Sequence, residues 1–306
     1  MTLSHIPKRT TIPRDTGLTM MMDKGLSTRQ MEDFLSTSAS YTDIIKFGFG
    51  TSIVSNNIQE KIALIKQIGV KPYFGGTMFE LYYARNQEAE YFKIVDDFGI
   101  ETVEISDGSI VLEHDEKCEL IYKYSKNYTI LSEVGSKEEG ILISPAKWIK
   151  MMSEELKAGS WKVIAEGRES GSVGIFRPNG KPHTMLINKI ISKIDPNKIL
   201  WEAPSKKQQT WFVNLFDQNV NLGNISPTDV LPLETLRQGL RGDTFFNFLP
   251  RNIIEKRYKD ILKIDFTKKE NNKNFWFISK NKEEPRYADR FEEIGSELEQ
   301  PLAIAR

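Results

Sequence analysis

The stretch DIIKFGFGTS, Asp43 to Ser52, runs an apolar segment through a lysine into two spaced glycines and a pair of hydroxyls. This is the shape of a buried parallel strand that ends in a polar loop opened by glycine. Much the same shape recurs through the first 225 residues, in DKG (Asp23 to Gly25), FGGTMFE (Phe74 to Glu80), VEISDGS (Val103 to Ser109), SEVGSK (Ser132 to Lys137), AEGRESG (Ala165 to Gly171) and WEAP (Trp201 to Pro204). An eighth run ends on asparagines, in NLGNI (Asn221 to Ile225). Segments with helical spacing lie between the runs, for example Ile58, Ile62, Ile65 and Ile68, or Phe92, Val95 and Phe98. Alternating strands and helices specify parallel β/α units. Eight of them, each with a polar strand end, predict a TIM-type (β/α)8 barrel with its site at the C-terminal strand ends. A doubly wound open sheet is the rival, but such a sheet gathers its ligand near one switch point.

The strands are expected at about 18–22, 43–47, 70–74, 101–106, 129–134, 161–166, 198–202 and 219–222. Gly69, Gly99 and Gly159 each stand where a left-handed helix cap precedes a strand, and Ser144-Pro145 reads as an N-cap followed by proline in the first turn. The catalytic barrel is expected to fill residues 1–250, with 251–306 as a C-terminal extension. There LKIDF (Leu262 to Phe266) and FWFI (Phe275 to Ile278) read as a β-hairpin, followed by a charged, docked arm. Aromatic residues in so small a hairpin need cover from the barrel or a neighbouring subunit, and a homo-oligomer is expected.

Composition excludes several classes. Lysine plus arginine balance aspartate plus glutamate at 42 each, so no global field draws the chain to nucleic acid or to an anionic membrane. The single cysteine, Cys118, excludes an internal disulfide and fits a reducing compartment. Three histidines, His5, His114 and His183, are too scattered for a histidine-rich metal site. No apolar run approaches the roughly 18 residues of a membrane span, and the opening lacks the apolar core of a signal peptide. A cytoplasmic location is expected.

The strand ends carry the candidate chemistry. Lys46 either snorkels from the rim or points into the barrel mouth at an anion, and the glycines after it favour the mouth. Gly75 and Gly76 offer backbone amides to an anion, or form a plain tight turn. Glu104, Glu133 and Glu166, on neighbouring strands with Asp107 close behind, resemble the oxygen-rich site that Mg2+ prefers; the alternative is pairing with Lys24, Lys46 or Arg168. Arg168 suits a bidentate anion clamp. Lys137 reads equally as a proton donor or as a surface lysine. Asn221 and Asn224 bring neutral polar groups to strand 8, where barrels often bind phosphate. Arg237 and Arg241, four apart on one helical face, either reach a phosphate or pair with Glu234 or Asp243.

The succession GLTMMMDKG, DIIKFGFGTS, FGGTMFE, VEISDGS, SEVGSK, EGRESG, WEAPSKKQQ, VNLGNI and LETLRQGLRGDT resembles the phosphosulfolactate synthase family, first known from coenzyme M biosynthesis, over roughly residues 14–244. The resemblance implies a β/α barrel, Mg2+ dependence, and addition of sulfite to phosphoenolpyruvate to give (2R)-phospho-3-sulfolactate. It places the proton donor of the family's EVGxK motif on Lys137, and the acidic and arginine positions of its SDGS and GRESG motifs on Asp107, Glu166, Arg168 and Glu169. Small anionic substrates then call for Lys24, Lys46, Arg168 and Arg241 as counter-charges. The tail after Thr244 has little counterpart in short members. Two other readings are another Mg2+-dependent barrel enzyme acting on phosphoenolpyruvate or an enolate, which would use the same parts, and a non-catalytic stress-related barrel protein, which need not keep Lys137, Glu166 and Arg168 together.

Overall fold

A computed structural model describes residues 2–135, 143–250, 252–254 and 256 of the 306-residue chain. Eight strands run parallel: β1 (Thr19–Asp23), β2 (Ile44–Phe47), β3 (Lys71–Phe74), β4 (Thr102–Ile105), β5 (Thr129–Val134), β6 (Lys162–Ala165), β7 (Ile199–Glu202) and β8 (Leu222–Ile225). Between and after them come α1 (Thr28–Ser38), the single turn α2 (Thr51–Val54), α3 (Ile58–Gln67), α4 (Gly76–Tyr83), α5 (Glu88–Asp97), α6 (His114–Tyr124), α7 (Pro145–Ala158), α8 (Thr184–Ile191), α9 (Lys206–Phe216) and α10 (Val230–Arg237). The hydrogen-bonded order β3-β2-β1-β8-β7-β6-β5-β4 makes a nearly closed barrel, as the sequence predicts. Residues on both faces of the strands are buried, which is why the runs read as continuously apolar.

Local signals act where the sequence places them. Ser144 caps α7 by accepting from the Lys147 amide, with Pro145 in the first turn, and Gly69, Gly99 and Gly159 hold positive φ at helix ends. Ser27 and Gln30 add a reciprocal capping box at α1. The expected hairpin and arm of 251–306 lie outside the described residues, apart from a few just past Pro250. No helix among the described residues is long and apolar enough to cross a membrane.

One strand boundary differs from expectation. The eighth strand, expected at 219–222, occupies 222–225. Within it a β-bulge adds one residue: Thr19 of β1 pairs with Leu222 and Met21 with Ile225, and Asn224 takes up the extra residue at φ 56°. Asn219 to Asn221 lead up to the strand, which begins at Leu222 and includes Asn224.

Side chains close the barrel at its seam and its base. Between β3 and β4, which no ladder joins among the described residues, Tyr73 donates its hydroxyl to Glu104 Oε2 at 2.8 Å and the Gly76 amide donates to Glu104 Oε1 at 2.7 Å. At the opposite, N-terminal face, the segment before β1 sends Arg14 to Asp43 at 2.9 Å and Arg9 to Glu234 at 3.0 Å. Arg237, fully buried at the end of α10, donates to the carbonyls of Gln218, Val220 and Leu18, tying the ends of β8 and β1 together. That carbonyl clamp, rather than a phosphate contact, is its role. Arg237→Met should lower the unfolding free energy by about 3 kcal/mol, since three carbonyls lose charged donors; a urea midpoint equal to that of the unaltered protein would contradict this.

Candidate active site

The inner ends of β4 to β7 bring four buried glutamates together, opposite one lysine from β2. Lys46 points inward. Its Nζ lies 3.1 Å from Glu104 Oε2, 3.4 Å from Glu202 Oε1 and 4.0 Å from Glu133 Oε2. Burial works against its charge, yet Glu104, Glu202 and Glu133 outweigh burial and hold the ammonium well above its ordinary pKa. Glu104 is engaged inside the fold, since besides Lys46 it accepts from Tyr73 and from Gly76. A Cβ at position 76 would meet Ser106 Oγ at 2.1 Å and Glu104 Oε1 at 2.6 Å, so glycine is required for this closure.

Glu133, Glu166 and Glu202 form a tighter group, each offering an oxygen within 4.8 Å of the others. The Glu202 carboxyl is pushed up to about 6 by burial; Lys46 and the Gly167 amide pull the other way, while Glu133 and Glu104 add to the rise. Its Oε2 accepts from the Gly167 amide at 3.0 Å, and Glu166 Oε1 accepts from the Arg168 amide at 2.8 Å. Gly135 leaves room for the group, because a Cβ there would lie 2.2 Å from Glu166 Cβ. Three buried carboxylates from adjacent strand ends, with hard oxygen donors and no nitrogen or sulfur among them, fit a small divalent cation.

Helices brace the loops around this group with buried polar side chains. Lys61 of α3 holds Asp23 at 2.7 Å and the Leu26 carbonyl, fixing the turn that carries Lys24. Glu80 of α4 accepts from the hydroxyl of Ser106 and from the amides of Gly108 and Ser109, which shapes the SDGS loop. Lys117 of α6 reaches Asp107 at 3.0 Å, and Gln208 of α9 donates to the Gly171 and Gly180 carbonyls of the long loop after β6.

The expected residues distribute unevenly over this geometry. Lys46, Glu104, Glu133 and Glu166 converge. Arg168, at φ 53°, is half-buried on the loop after β6 and pairs with no described carboxylate. Lys24 bridges from the β1 loop to Glu169 at 2.9 Å, both ends about half exposed. Asn224 is buried at the end of β8 with an amide oxygen that has no partner among the described residues, the kind of orphan acceptor that calls for a ligand or water. Asp107 lies against Lys117 instead of joining the carboxylate trio. The Gly75 and Gly76 amides serve the Phe47 carbonyl and Glu104, so neither is held out to an anion. Asn221 sits at the opposite end of β8, bonded to the Leu18 amide and to the carbonyls of Asn197 and Ile199. Arg241 follows α10 beside Asp243, which is itself paired to Lys206 of α9. Lys137 lies outside the described residues. Glu202 was missed, although WEAP ends its run on a glutamate just as the neighbouring runs do.

Comparison with known proteins identifies the family. A family model described as (2R)-phospho-3-sulfolactate synthase matches residues 7–243, from the basal arginine segment to the turn after α10. Phosphosulfolactate synthase of Bacillus subtilis (strain 168) is 39% identical over 245 residues, covering 79% of this chain and 97% of that protein. The enzyme of the same name from Methanothermobacter thermautotrophicus is 38% identical, with 78% and 95% covered, and that from Methanocaldococcus jannaschii is 41% identical, with 75% and 94% covered. With the match spanning the whole barrel and every strand-end loop, the chain belongs to the phosphosulfolactate synthase family.

Proposed function

We propose that this chain is a working phosphosulfolactate synthase, a carbon–sulfur lyase that joins sulfite to phosphoenolpyruvate to give (2R)-phospho-3-sulfolactate, with Mg2+ held by Glu133, Glu166 and Glu202. The observation that carries the reading is that carboxylate trio, buried at the mouth of a barrel of this family, with Lys46 opposite it. In the reaction the sulfur lone pair attacks C3 and forms the C–S bond. The C2=C3 electron pair moves toward C2 and the substrate carboxylate, and C2 then takes one proton. A bound Mg2+ supplies electrostatic stabilisation for the charge that gathers on the carboxylate.

The chain's own groups do the rest. Lys46, kept protonated by its glutamates, fixes Glu104 and Glu202 and contributes positive potential to the mouth. Arg168 supplies a planar fork for a phosphate, carboxylate or sulfonate group, and Lys24 a point charge on the adjoining loop. Lys137, two residues beyond Gly135, delivers the proton to C2 from one face, the role implied by the family's EVGxK motif. No covalent enzyme intermediate is required.

Purified protein given phosphoenolpyruvate, sulfite and Mg2+ should yield a sulfonated product of the expected mass, and excess chelator should abolish it. Full turnover in chelator would remove the metal from the scheme, and no product under complete conditions would remove the activity. Glu202→Gln keeps an acceptor for the Gly167 amide, so its melting temperature should stay close to that of the unaltered protein while kcat falls by about two orders of magnitude. An unchanged kcat would take Glu202 out of the site. For Lys137→Ala, kcat should fall by orders of magnitude with little change in the KM for phosphoenolpyruvate, as loss of a proton donor requires; a rise in KM alone would make Lys137 a binding residue.

A further inference from the structure

The ladder between β4 and β5 ends at Ile105 paired with Ser132, one residue short of Glu133. Beyond that point β4 offers β5 no further ladder amide. Lys117 fills the gap from α6: its Nζ donates to the Glu133 carbonyl at 2.6 Å, and also lies 3.0 Å from Asp107 Oδ1 and 2.9 Å from Glu155 Oε1 of α7. The ammonium thus donates to a carbonyl of β5 and to a carboxylate of the β4 loop, and is ion-paired with α7. The side chain is fully buried, and Glu155 is buried beside it. Burial works against the lysine's charge, but Glu155 and then Asp107 outweigh it and keep the ammonium protonated.

We propose that Lys117 is a positioning residue for the metal-binding trio: standing in for the missing strand amide, it sets the direction in which the Glu133 carboxylate enters the group and so sets the affinity of the site for a divalent cation. The inference rests on the reading of Glu133, Glu166 and Glu202 as a metal site. A purely structural lysine would contribute to melting temperature alone, whereas one that aims a ligand alters affinity in a protein that remains folded.

Titration with Mn2+ alone, followed by electron paramagnetic resonance at a temperature well below melting, separates the possibilities. Lys117→Met combined with Glu155→Gln removes the lysine without leaving the α7 carboxylate charged and buried. Its Mn2+ dissociation constant should rise by at least about tenfold. Lys117→Arg keeps the charge for Glu155 but replaces three donors on one atom with a planar fork, and should also weaken binding. Glu155→Gln alone, which retains Lys117, should stay within about twofold of the unaltered protein on the same scale. Glu133→Gln reports on the metal reading itself and should lose most binding. If the unaltered protein binds no Mn2+, or Glu133→Gln binds it as well, the metal reading fails and the inference with it. If Glu133→Gln loses binding while whichever of the two Lys117 variants folds binds Mn2+ as the unaltered protein does, Lys117 is structural only and the inference is overturned.

Discussion

The buried ammonium of Lys46 sets the terms for the rest of the barrel. Carboxylates crowded into a water-poor interior repel one another and are each costly to desolvate. One cation within 3.4 Å of both Glu104 and Glu202, and 4.0 Å from Glu133, lets them remain close without all becoming neutral. The rise of the Glu202 carboxyl to about 6 marks the limit of that compensation. A site built this way is held ready for further positive charge, which is what the proposed metal-dependent addition to an anionic substrate needs. Glu104 also bridges the β3–β4 seam, so the same ion pair belongs both to the closure of the fold and to the carboxylate cluster at its mouth.

Such an arrangement needs walls that do not yield. The barrel supplies them by sending buried polar side chains from its outer helices to the strand-end loops: Lys61 to the β1 turn, Glu80 and Lys117 to the β4 loop, Gln208 to the β6 loop. Each of these contacts gives a loop polar group a partner that water would otherwise supply, and each ties that loop to a helix packed on the core. The basal face is organised differently. Arg9, Arg14 and Arg237 bind carboxylates and carbonyls at the N-terminal strand ends, where a barrel invests in stability. Arginines that suggest anion binding in the sequence therefore divide between two opposite ends of one fold.

That division explains which parts were legible. The eight runs, the helix caps and the placement of Glu133 and Glu166 follow from local pattern, because a parallel strand buried on both faces has little freedom in composition. Glu202 carried the same signal and needed only the same reading applied to WEAP. Asn221 and Asn224 could not be told apart in that way, since the strand starts three residues later than its local pattern suggests, which leaves Asn221 at the base and carries Asn224 toward the mouth. Asp107, Gly75 and Gly76 sit in motifs that belong to the site, yet their polar groups meet partners from elsewhere in the chain. Lys61, Glu80 and Lys117 looked like ordinary helix residues; nothing in a period of 3.6 reveals that a charged side chain is turned inward to a loop.

Backbone strain gathers on the same face. Six described non-glycine residues hold a positive φ, and three of them, Phe49, Arg168 and Asn224, stand at or just past the ends of β2, β6 and β8. Asparagine tolerates that conformation, but for phenylalanine and arginine it costs on the order of 1 kcal/mol or more. At Arg168 the compensation is visible, because its amide is held by Glu166 Oε1 at 2.8 Å. The Glu166 carboxylate, one of the proposed metal ligands, thus also holds the backbone turn that carries Arg168, so in the proposed mechanism one side chain sets both the cation-binding and the anion-binding group. Loss of Glu166 would release both at once, which makes the spacing within GRESG a geometric requirement of the site as well as a sequence signature.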